Sequence, residues 1–158
     1  MEAEISLIKI TRDCMRSRIV DFLFLEDNWT EIGEKAWEES NFFCELPLKW
    51  ELSVGAEKEG SLVGYLIGSE QIPSEYGERA SRVNKIVVDK LCRGKGIARK
   101  LLKSYFENCM ELGINLFEIK ALNENAAANN LYRSLGYIKT GEVLGSDNKM
   151  RTAYLRWS

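Results

Sequence analysis

The pattern of apolar and polar positions predicts the strands of the N-terminal half. Residues 5–10 alternate between the two kinds of side chain, which is typical of a strand with one buried face. Residues 50–57 and 61–70 are two further apolar runs joined by a polar turn that ends in glycine, so they predict a β-hairpin. Residues 11–37 have helical spacing. The aromatic, turn-like residues 41–48 carry no clear pattern and stay unassigned.

The C-terminal half alternates between strands and helices. After a polar loop at residues 72–80, the predicted strands are residues 82–88, 114–122, 137–143 and 152–157, and the predicted helices are residues 96–112 and 126–135. The first of these helices has an apolar inner face at helical spacing, formed by Ile97, Leu101, Tyr105, Cys109 and Leu112. This element order predicts a single α/β (α+β) domain, residues 1–158, in which helices cover a mixed sheet.

Composition and charge narrow the class of protein. Hydrophobic residues make up 45% and charged residues 29% of the chain, as in ordinary soluble globular proteins. The net charge of −2 argues against a general nucleic-acid binder, which usually carries a basic excess. No apolar run approaches the roughly 20 residues of a membrane span, and the first residues lack the pattern of a signal peptide. We therefore expect a cytoplasmic protein with neither nucleic acid nor membrane as a partner.

The chain contains no histidine, and this limits the chemistry that it can perform. Ser-His and Cys-His nucleophile pairs are excluded. The four cysteines are scattered without a CxxC pair, so we expect structural thiols and no metal site. Any proton transfer must use carboxylates, tyrosine, cysteine, lysine or water.

The most informative segment is residues 83–98, where an apolar strand enters a basic, glycine-rich turn that opens into a helix. Such a turn can direct several backbone N–H groups at one point near the positive end of the helix dipole, which suits a phosphate or pyrophosphate. A Walker loop requires Lys and then Ser or Thr after its last glycine, and it is excluded because Gly96 is followed by Ile97 and Ala98. A Rossmann fingerprint fits poorly because Arg99 stands where its third glycine is required.

Two motifs resemble one known family. Arg93-x-x-Gly96-x-Ala98 resembles the acyl-CoA-binding motif of the GCN5-related N-acetyltransferase (GNAT) superfamily. One helix and one strand downstream, the chain is similar to a second element of that family, with the pattern Asn125-x-x-Ala128-x-x-Leu131-Tyr132-x-x-x-Gly136-Tyr137. The resemblance covers nearly the whole chain in element order and is specific over residues 83–143.

The resemblance implies a fold and a co-substrate. The fold would be a mostly antiparallel central sheet of six to seven strands, with helices on both faces and a splayed V between the fourth and fifth strands. The co-substrate would be acetyl-CoA, with its pantetheine arm paired to the backbone of Ile86 and Val88 and its pyrophosphate on the amides of residues 93–98. The implied cofactor-binding residues are Ile86, Val87, Val88, Arg93, Gly94, Lys95, Gly96, Ile97, Ala98, Asn125, Ala128 and Tyr132. The phosphate charge would be neutralised by Arg93, Lys95, Arg99 or Lys100.

The resemblance also implies an activity, the transfer of an acetyl group to a primary amine by direct attack. Tyr132 would be the general acid for the leaving thiolate. Asn125 would contact the pantetheine, a role compatible with capping the helix that follows it. The predicted strand 82–88 carries no carboxylate, so the general base stays open. The candidates are Glu75, Glu78, Glu51 and a chain of waters oriented by Asn84.

The acceptor amine and the partners also stay open. Residues 27–48 are acidic and aromatic. If they line the acceptor site, they favour a cationic amine. If they do not, the acidic residues form a solvated helix face and the aromatic residues belong to the core. Aminoglycosides, polyamines, amino acids and protein amines all remain candidates. A non-catalytic acyl-CoA-binding or regulatory domain is the main alternative, and an unrelated nucleotide binder is a more remote one. An exposed strand edge at residues 154–157 would allow a homodimer.

Overall fold

A seven-stranded sheet forms the centre of the computed structural model, which describes residues 4–31 and 33–158. Its strands are β1 (Ile5–Lys9), β2 (Val54–Lys58), β3 (Ser61–Gln71), β4 (Ala80–Val88), β5 (Leu116–Leu122), β6 (Ile138–Leu144) and β7 (Met150–Trp157). The helices are α1 (Arg12–Ser17), α2 (Ile19–Trp29), α3 (Glu39–Phe43), α4 (Lys49–Leu52), α5 (Ile97–Glu111) and α6 (Ala126–Ser134), with a 3₁₀ turn at Lys90–Cys92. The strand order is β1-β2-β3-β4-β5-β7-β6.

The fourth and fifth strands separate shortly after they meet. All neighbouring strands are antiparallel except β4 and β5, which are parallel. These two strands pair only through Ser81 with Phe117 and Arg82 with Glu118. From Val83 onward β4 keeps its partner β3 but has none on the side of β5. The predicted mixed sheet and its splayed V are therefore confirmed, and the point of the V lies at Arg82.

Helices cover both faces of the sheet, and each face has its own apolar core. One core combines the inner face of α5 with β2–β5 and the aromatic side chains of Tyr132, Tyr137 and Tyr154. The other packs α1, α2 and α3 against Tyr65 and Ile67 of β3. The side chains of a strand alternate between its two faces, so β3 contributes to both cores and is almost fully buried.

Helix α5 approaches β3 closely because a glycine removes the side chain between them. A Cβ atom added at Gly68 would lie 2.8 Å from Cε1 of Tyr105, closer than such contacts normally are. The Tyr105 ring is fully buried there and shares a hydrogen bond of 2.5 Å between its hydroxyl and Ser81. This packing holds the middle of α5 against the sheet, beside the start of β4.

The structure corrects the prediction for residues 41–57. Residues 49–52 form helix α4 and not the start of a strand, and α3 ends within the segment that had no assignment. The reason is Lys49, whose buried ammonium group donates hydrogen bonds to the carbonyls of Phe42 (2.5 Å) and Cys44 (2.7 Å) at the end of α3. Burial lowers the pKa of Lys49. A contact of this kind leaves no trace in hydrophobic periodicity.

Three other expectations also differ from the structure. The helical region 11–37 is two helices that meet at Arg18, and the described residues that follow, 30–31 and 33–38, are not helical. Leu112 lies beyond the end of α5 and is 38% exposed, so the inner face of that helix ends at Cys109. The predicted free edge at residues 154–157 is wrong for Tyr154 and Leu155, which pair with β5 on one side and β6 on the other, whereas Arg156 and Trp157 pair only with β5. Across residues 4–31 and 33–158, no helix combines the length and apolar character needed to cross a membrane.

Candidate active site

The glycine-rich turn between β4 and α5 presents unpaired backbone amides. Gly94 and Gly96 adopt φ angles of +81° and +77°, in the left-handed region that favours glycine. Gly96 is the N-cap of α5, so the amides that follow it have no preceding helical turn to bond. Among the described residues, the N–H groups of Gly94, Gly96, Ile97 and Ala98 donate no hydrogen bond. They form a cluster of donors at the positive end of a 15-residue helix.

The arginines of this region fix the walls around the turn. Arg93 donates from Nη2 to the carbonyl of Trp29 at 3.0 Å and so ties the turn to the end of α2. Its own amide is already bonded to the carbonyl of Lys90 at 3.2 Å, so it does not belong to the cluster of free amides. Arg99 donates to Oγ of Ser134 at 2.9 Å and links α5 to α6. Both guanidinium groups keep their positive charge beside the turn.

Two cavities open from the V between β4 and β5. The smaller cavity, of about 420 Å³, runs from the glycine-rich turn along the end of β4. It is lined by eleven of the twelve predicted cofactor-binding residues, namely Ile86, Val87, Val88, Arg93, Gly94, Gly96, Ile97, Ala98, Asn125, Ala128 and Tyr132. The exception is Lys95, which is exposed and lies outside the lining. Lys100 is also exposed and outside it.

The larger cavity, of about 650 Å³, extends from the same V toward Arg82 and the loop that follows α2. Five residues line both cavities: Glu31, Ile86, Asn125, Ala128 and Tyr132. The two spaces therefore meet where one carboxylate and one phenol come together. A long ligand entering from the turn and a second ligand entering from the larger cavity would meet at this junction.

Helix α6 positions the Tyr132 side chain at the junction. Asn125 caps the helix by accepting a hydrogen bond from the amide of Ala128 at 3.0 Å. Asn129 anchors it to the sheet, because its Nδ2 donates to the carbonyl of Leu122 (3.0 Å) and its Oδ1 accepts from Tyr154 (2.5 Å). The Tyr132 ring packs edge-on against the rings of Tyr137 and Tyr154, with centroid distances of 5.8 and 5.9 Å.

The Tyr132 hydroxyl has no partner in the part of the chain that the structure describes. The side chain is only 5% exposed, and burial raises its pKa well above the usual value. The negative charges of Glu31 and Glu34 raise this pKa further. The phenol therefore stays protonated at neutral pH, and its hydrogen-bonding capacity is unused at the place where the two cavities meet.

A buried carboxylate, Glu118, occupies the point of the V. Its Oε2 accepts hydrogen bonds from Gln71 at 2.9 Å and from the hydroxyl of Tyr76 at 2.5 Å. Its Oε1 lies 4.0 Å from Arg82 and 3.6 Å from Lys120. Burial alone would raise the pKa of Glu118, but the hydrogen bonds and the two positive charges outweigh burial and lower it.

Ion pairs join the two loops on the far wall of the larger cavity. Arg151 on β7 contacts Glu34 at 2.8 Å and Asp147 at 2.9 Å. Lys149 donates a hydrogen bond of 2.6 Å to the carbonyl of Gly33. The loop that follows α2 is thus held to the turn between β6 and β7, and together these segments close one side of the cavity.

The structure does not bring the predicted base candidates to either cavity. Glu75 and Glu78 are exposed in the loop before β4, Glu51 is exposed on α4, and none of the three lines a cavity. Asn84 does line the larger cavity, where it accepts a hydrogen bond from Ser69 at 2.7 Å. Glu31 lies in the acidic segment that the sequence identified, but no local motif distinguished it from its neighbours.

The acidic, aromatic segment is divided between the larger cavity, the core and the surface. Glu31, Glu34 and Trp37 line the larger cavity, in keeping with a site wall. Phe42 is instead a core residue between Phe22 and Tyr65, and Glu45 pairs with Arg12 at the surface. Within the described residues, no group of three or more His, Cys, Asp or Glu side chains is arranged to hold a metal ion.

Comparisons with known proteins agree with this arrangement. The model of the acetyltransferase (GNAT) family matches residues 21–137. The N-alpha-acetyltransferase RimI of Mycobacterium tuberculosis is 33% identical over 114 residues, which are 70% of this chain and 66% of that protein. An uncharacterized protein of Mycobacterium leprae is 34% identical over 113 residues, 69% of this chain and 29% of its own length. The chain thus matches less than two thirds of the length of these relatives.

A solved structure extends the likeness to the complete fold. A chain from the NatC complex bound to Gag peptide and CoA superimposes with a TM-score of 0.82 at 18% identity, and the match covers 98% of this chain and 99% of that one. The splayed sheet, the glycine-rich turn and the family match lead to one classification. The chain belongs to the GNAT family of acetyltransferases, as its two motifs predicted.

Proposed function

We propose that this protein transfers the acetyl group of acetyl-CoA to a primary amine while both substrates are bound. The observation that carries the proposal is the junction of the two cavities at an unpaired phenol, with a turn of free amides at the far end of the smaller one. Family membership and the CoA bound to the structurally similar NatC complex support acetyl-CoA as the donor. The acceptor would enter through the larger cavity.

The chain's own groups suit a diphosphate and a pantetheine arm. The amides of Gly94, Gly96, Ile97 and Ala98 would hold the diphosphate, since helix N-termini with free N–H groups bind anions. Arg93 and Arg99 would contribute positive charge while keeping their structural bonds. Beyond Arg82 the open edge of β4 would accept the arm as an added strand, fixing its register through main-chain hydrogen bonds.

Glu31 is the best placed proton acceptor for the amine. It is the one carboxylate among the five residues shared by the cavities, and its side chain makes no ion pair within the described residues. Glu34 is engaged by Arg151, and Glu118 is held charged by four neighbours at the point of the V. Because alkyl amines are mostly protonated near pH 7, an acceptor of this kind is needed before attack.

The chemical step then follows from the positions of these two groups. The ammonium group loses one proton toward Glu31, and the resulting amine nitrogen forms a bond to the thioester carbonyl carbon. Its second proton passes to solvent as the amide forms. The carbon–sulfur bond breaks, and its electron pair leaves with the sulfur of CoA. The Tyr132 hydroxyl would give its proton to that thiolate and recover one from solvent. The protein contributes positioning of both substrates and a protonated phenol in a water-poor place.

The decisive experiment measures CoA thiol release from acetyl-CoA across a panel of amines. We expect release with at least one amine and a 10- to 100-fold lower kcat in Tyr132→Phe, about the contribution of one general acid or somewhat less. Tyr137→Phe is the matched control, because its hydroxyl is buried without a hydrogen-bond partner among the described residues and lines neither cavity. Acetyl-CoA affinity should be unchanged in both variants.

The alternatives predict different results in the same assays. A non-catalytic acyl-CoA-binding domain would bind acetyl-CoA in calorimetry without releasing thiol with any amine. A nucleotide binder would be stabilised thermally by ATP or NAD and not by acetyl-CoA. Equal kcat values for Tyr132→Phe and the wild type would remove the phenol from the mechanism. The cytoplasmic location and a homodimer stay predictions that none of these assays address.

A further inference from the structure

The point of the V contains more positive charge than its carboxylate requires. Arg82 and Lys120 both face Oε1 of Glu118, at 4.0 and 3.6 Å, so two cations share one anion. The other oxygen of that carboxylate is already occupied by Gln71 and Tyr76. Both cations line the larger cavity, and this end of it carries a net charge of about +1.

The hydrogen-bonding capacity of these two cations is unused. Neither distance to Glu118 is within hydrogen-bonding range, and neither side chain donates a hydrogen bond to any of the described residues. Nε of Arg82 is buried without a partner in the same part of the chain. The Arg82 and Lys120 side chains are 38% and 43% exposed, so a ligand in the cavity can reach them. A buried donor of a charged group, such as Nε of Arg82, is costly to leave unpaired, and an anionic acceptor group would complete this site.

The other end of the reaction path has the opposite charge. Glu31 lines the junction, and Glu31 and Glu34 both act on the Tyr132 phenol. Four residue steps separate Arg82 from Ile86 at the junction, or about 13 Å along β4, and an arginine side chain covers roughly half of that distance. The larger cavity therefore carries a negative charge at Glu31, where the amine would react, and positive charges at Arg82 and Lys120, a few bond lengths from that place.

We propose that the preferred acceptor is an amine whose own residue carries a carboxylate, as in aspartate or glutamate, with the carboxylate bound by Arg82 and Lys120. The inference rests on the proposed function and specifies its acceptor. The same chemistry occurs in a free amino acid and in the first residue of a peptide. The amine would lie toward Glu31 and the carboxylate toward the point of the V.

The test compares acidic acceptors with their neutral isosteres at fixed acetyl-CoA. The α-amide of glutamate is paired with the α-amide of glutamine, because free glutamine would still offer its α-carboxylate. A peptide beginning with glutamate is paired with the same peptide beginning with glutamine. We expect kcat/KM to favour the acidic member of at least one pair by roughly 10- to 100-fold, the range expected for hydrogen bonds between charged groups. The pair that shows the preference identifies whether the acceptor is free or peptidic.

Variants at the point of the V assign the preference to its residues. Arg82→Gln and Lys120→Gln should each remove most of this preference while keeping the wild-type affinity for acetyl-CoA, which also shows that the variants are folded. Lys120→Glu should reverse the preference toward neutral or cationic acceptors. Lys103→Gln, at an exposed position on α5 outside both cavities, is the matched control and should keep the wild-type preference.

Two failures can be told apart. If amines are acetylated but both members of each pair react equally, the carboxylate site is wrong and the proposed function stands. A preference that survives in Arg82→Gln and Lys120→Gln would also overturn it. If no amine in the wider panel releases CoA thiol, the proposed function itself fails.

Discussion

The turn before α5 offers a sharp test, because its backbone conformation can be perturbed without adding a steric clash. Gly96 has a φ angle of +77°, and a Cβ atom added there would meet nothing within 4 Å. An alanine in the left-handed region costs about 1–2 kcal/mol relative to glycine. In Gly96→Ala, the turn can keep its conformation, and the cost then appears as lower stability of the folded protein. If the turn instead relaxes, the cost appears as weaker ligand affinity.

The expected result follows from what the turn is proposed to bind. If the amides near Gly96 hold the diphosphate, a relaxed turn must be restored on binding, and the cost of about 1–2 kcal/mol corresponds to about 5- to 30-fold weaker affinity for acetyl-CoA. Any part of the cost that remains in the folded state would lower the Tm, by about 2–4 °C per kcal/mol for a chain of this size. Isothermal titration calorimetry and urea unfolding measure the two parts separately.

The hairpin turn between β2 and β3 supplies a matched control. Gly60 has a φ angle of +80° and the same open surroundings, but it lines neither cavity. Gly60→Ala should lose about 1–2 kcal/mol of stability and keep the wild-type affinity for acetyl-CoA. If Gly94→Ala and Gly96→Ala both keep the wild-type stability and also bind acetyl-CoA within twofold of the wild type, the diphosphate does not lie on this turn and the reasoning is refuted.

Three further predictions concern packing, proton transfer and pH. Gly68→Ala should lose about 1–3 kcal/mol in urea unfolding because its Cβ overlaps Tyr105, whereas Gly141→Ala, with open space and no positive φ, should stay near the wild type. Glu31→Gln should lower kcat by about 100-fold or more without weakening acetyl-CoA binding, and a variant with wild-type kcat would exclude Glu31 as the base. Glu118→Gln should cost about 1–3 kcal/mol at pH 7. The pKa of Glu118 is lowered on folding, so the stabilisation that its carboxylate provides is present above the ordinary value of 4.5 and is lost as the pH falls below it. The unfolding curves of the wild type and Glu118→Gln should therefore converge in acid.

The ion pairs around Arg151 give the larger cavity a defined wall. They join the loop after α2 to the turn after β6, two segments more than 100 residues apart in the chain. A pair of this kind is partly exposed, so its contribution to stability is small. Its more important effect is geometric, because it keeps Glu34 near the junction and limits the width of the larger cavity.

Most of the donor side of the site could be predicted from the sequence, because its parts are local. The glycine-rich turn places its amides through the φ angles of two glycines and the start of one helix, all within six residues. The element from Asn125 to Tyr137 likewise carries its own cap, its own helix and the phenol. Spacing within such a segment determines geometry, so eleven of the twelve named residues line one cavity.

The larger cavity was decided only by the tertiary structure. Glu31, Arg82, Glu118 and Lys120 come from a loop and two strands, and their neighbourhood exists only because β4 and β5 separate after two paired positions. The sequence left open Glu75, Glu78, Glu51 and a water chain through Asn84. The three carboxylates face solvent in the fold, whereas Asn84 lines the larger cavity. Charge balance at the point of the V depends on distances between remote side chains, and no spacing along the chain encodes those distances.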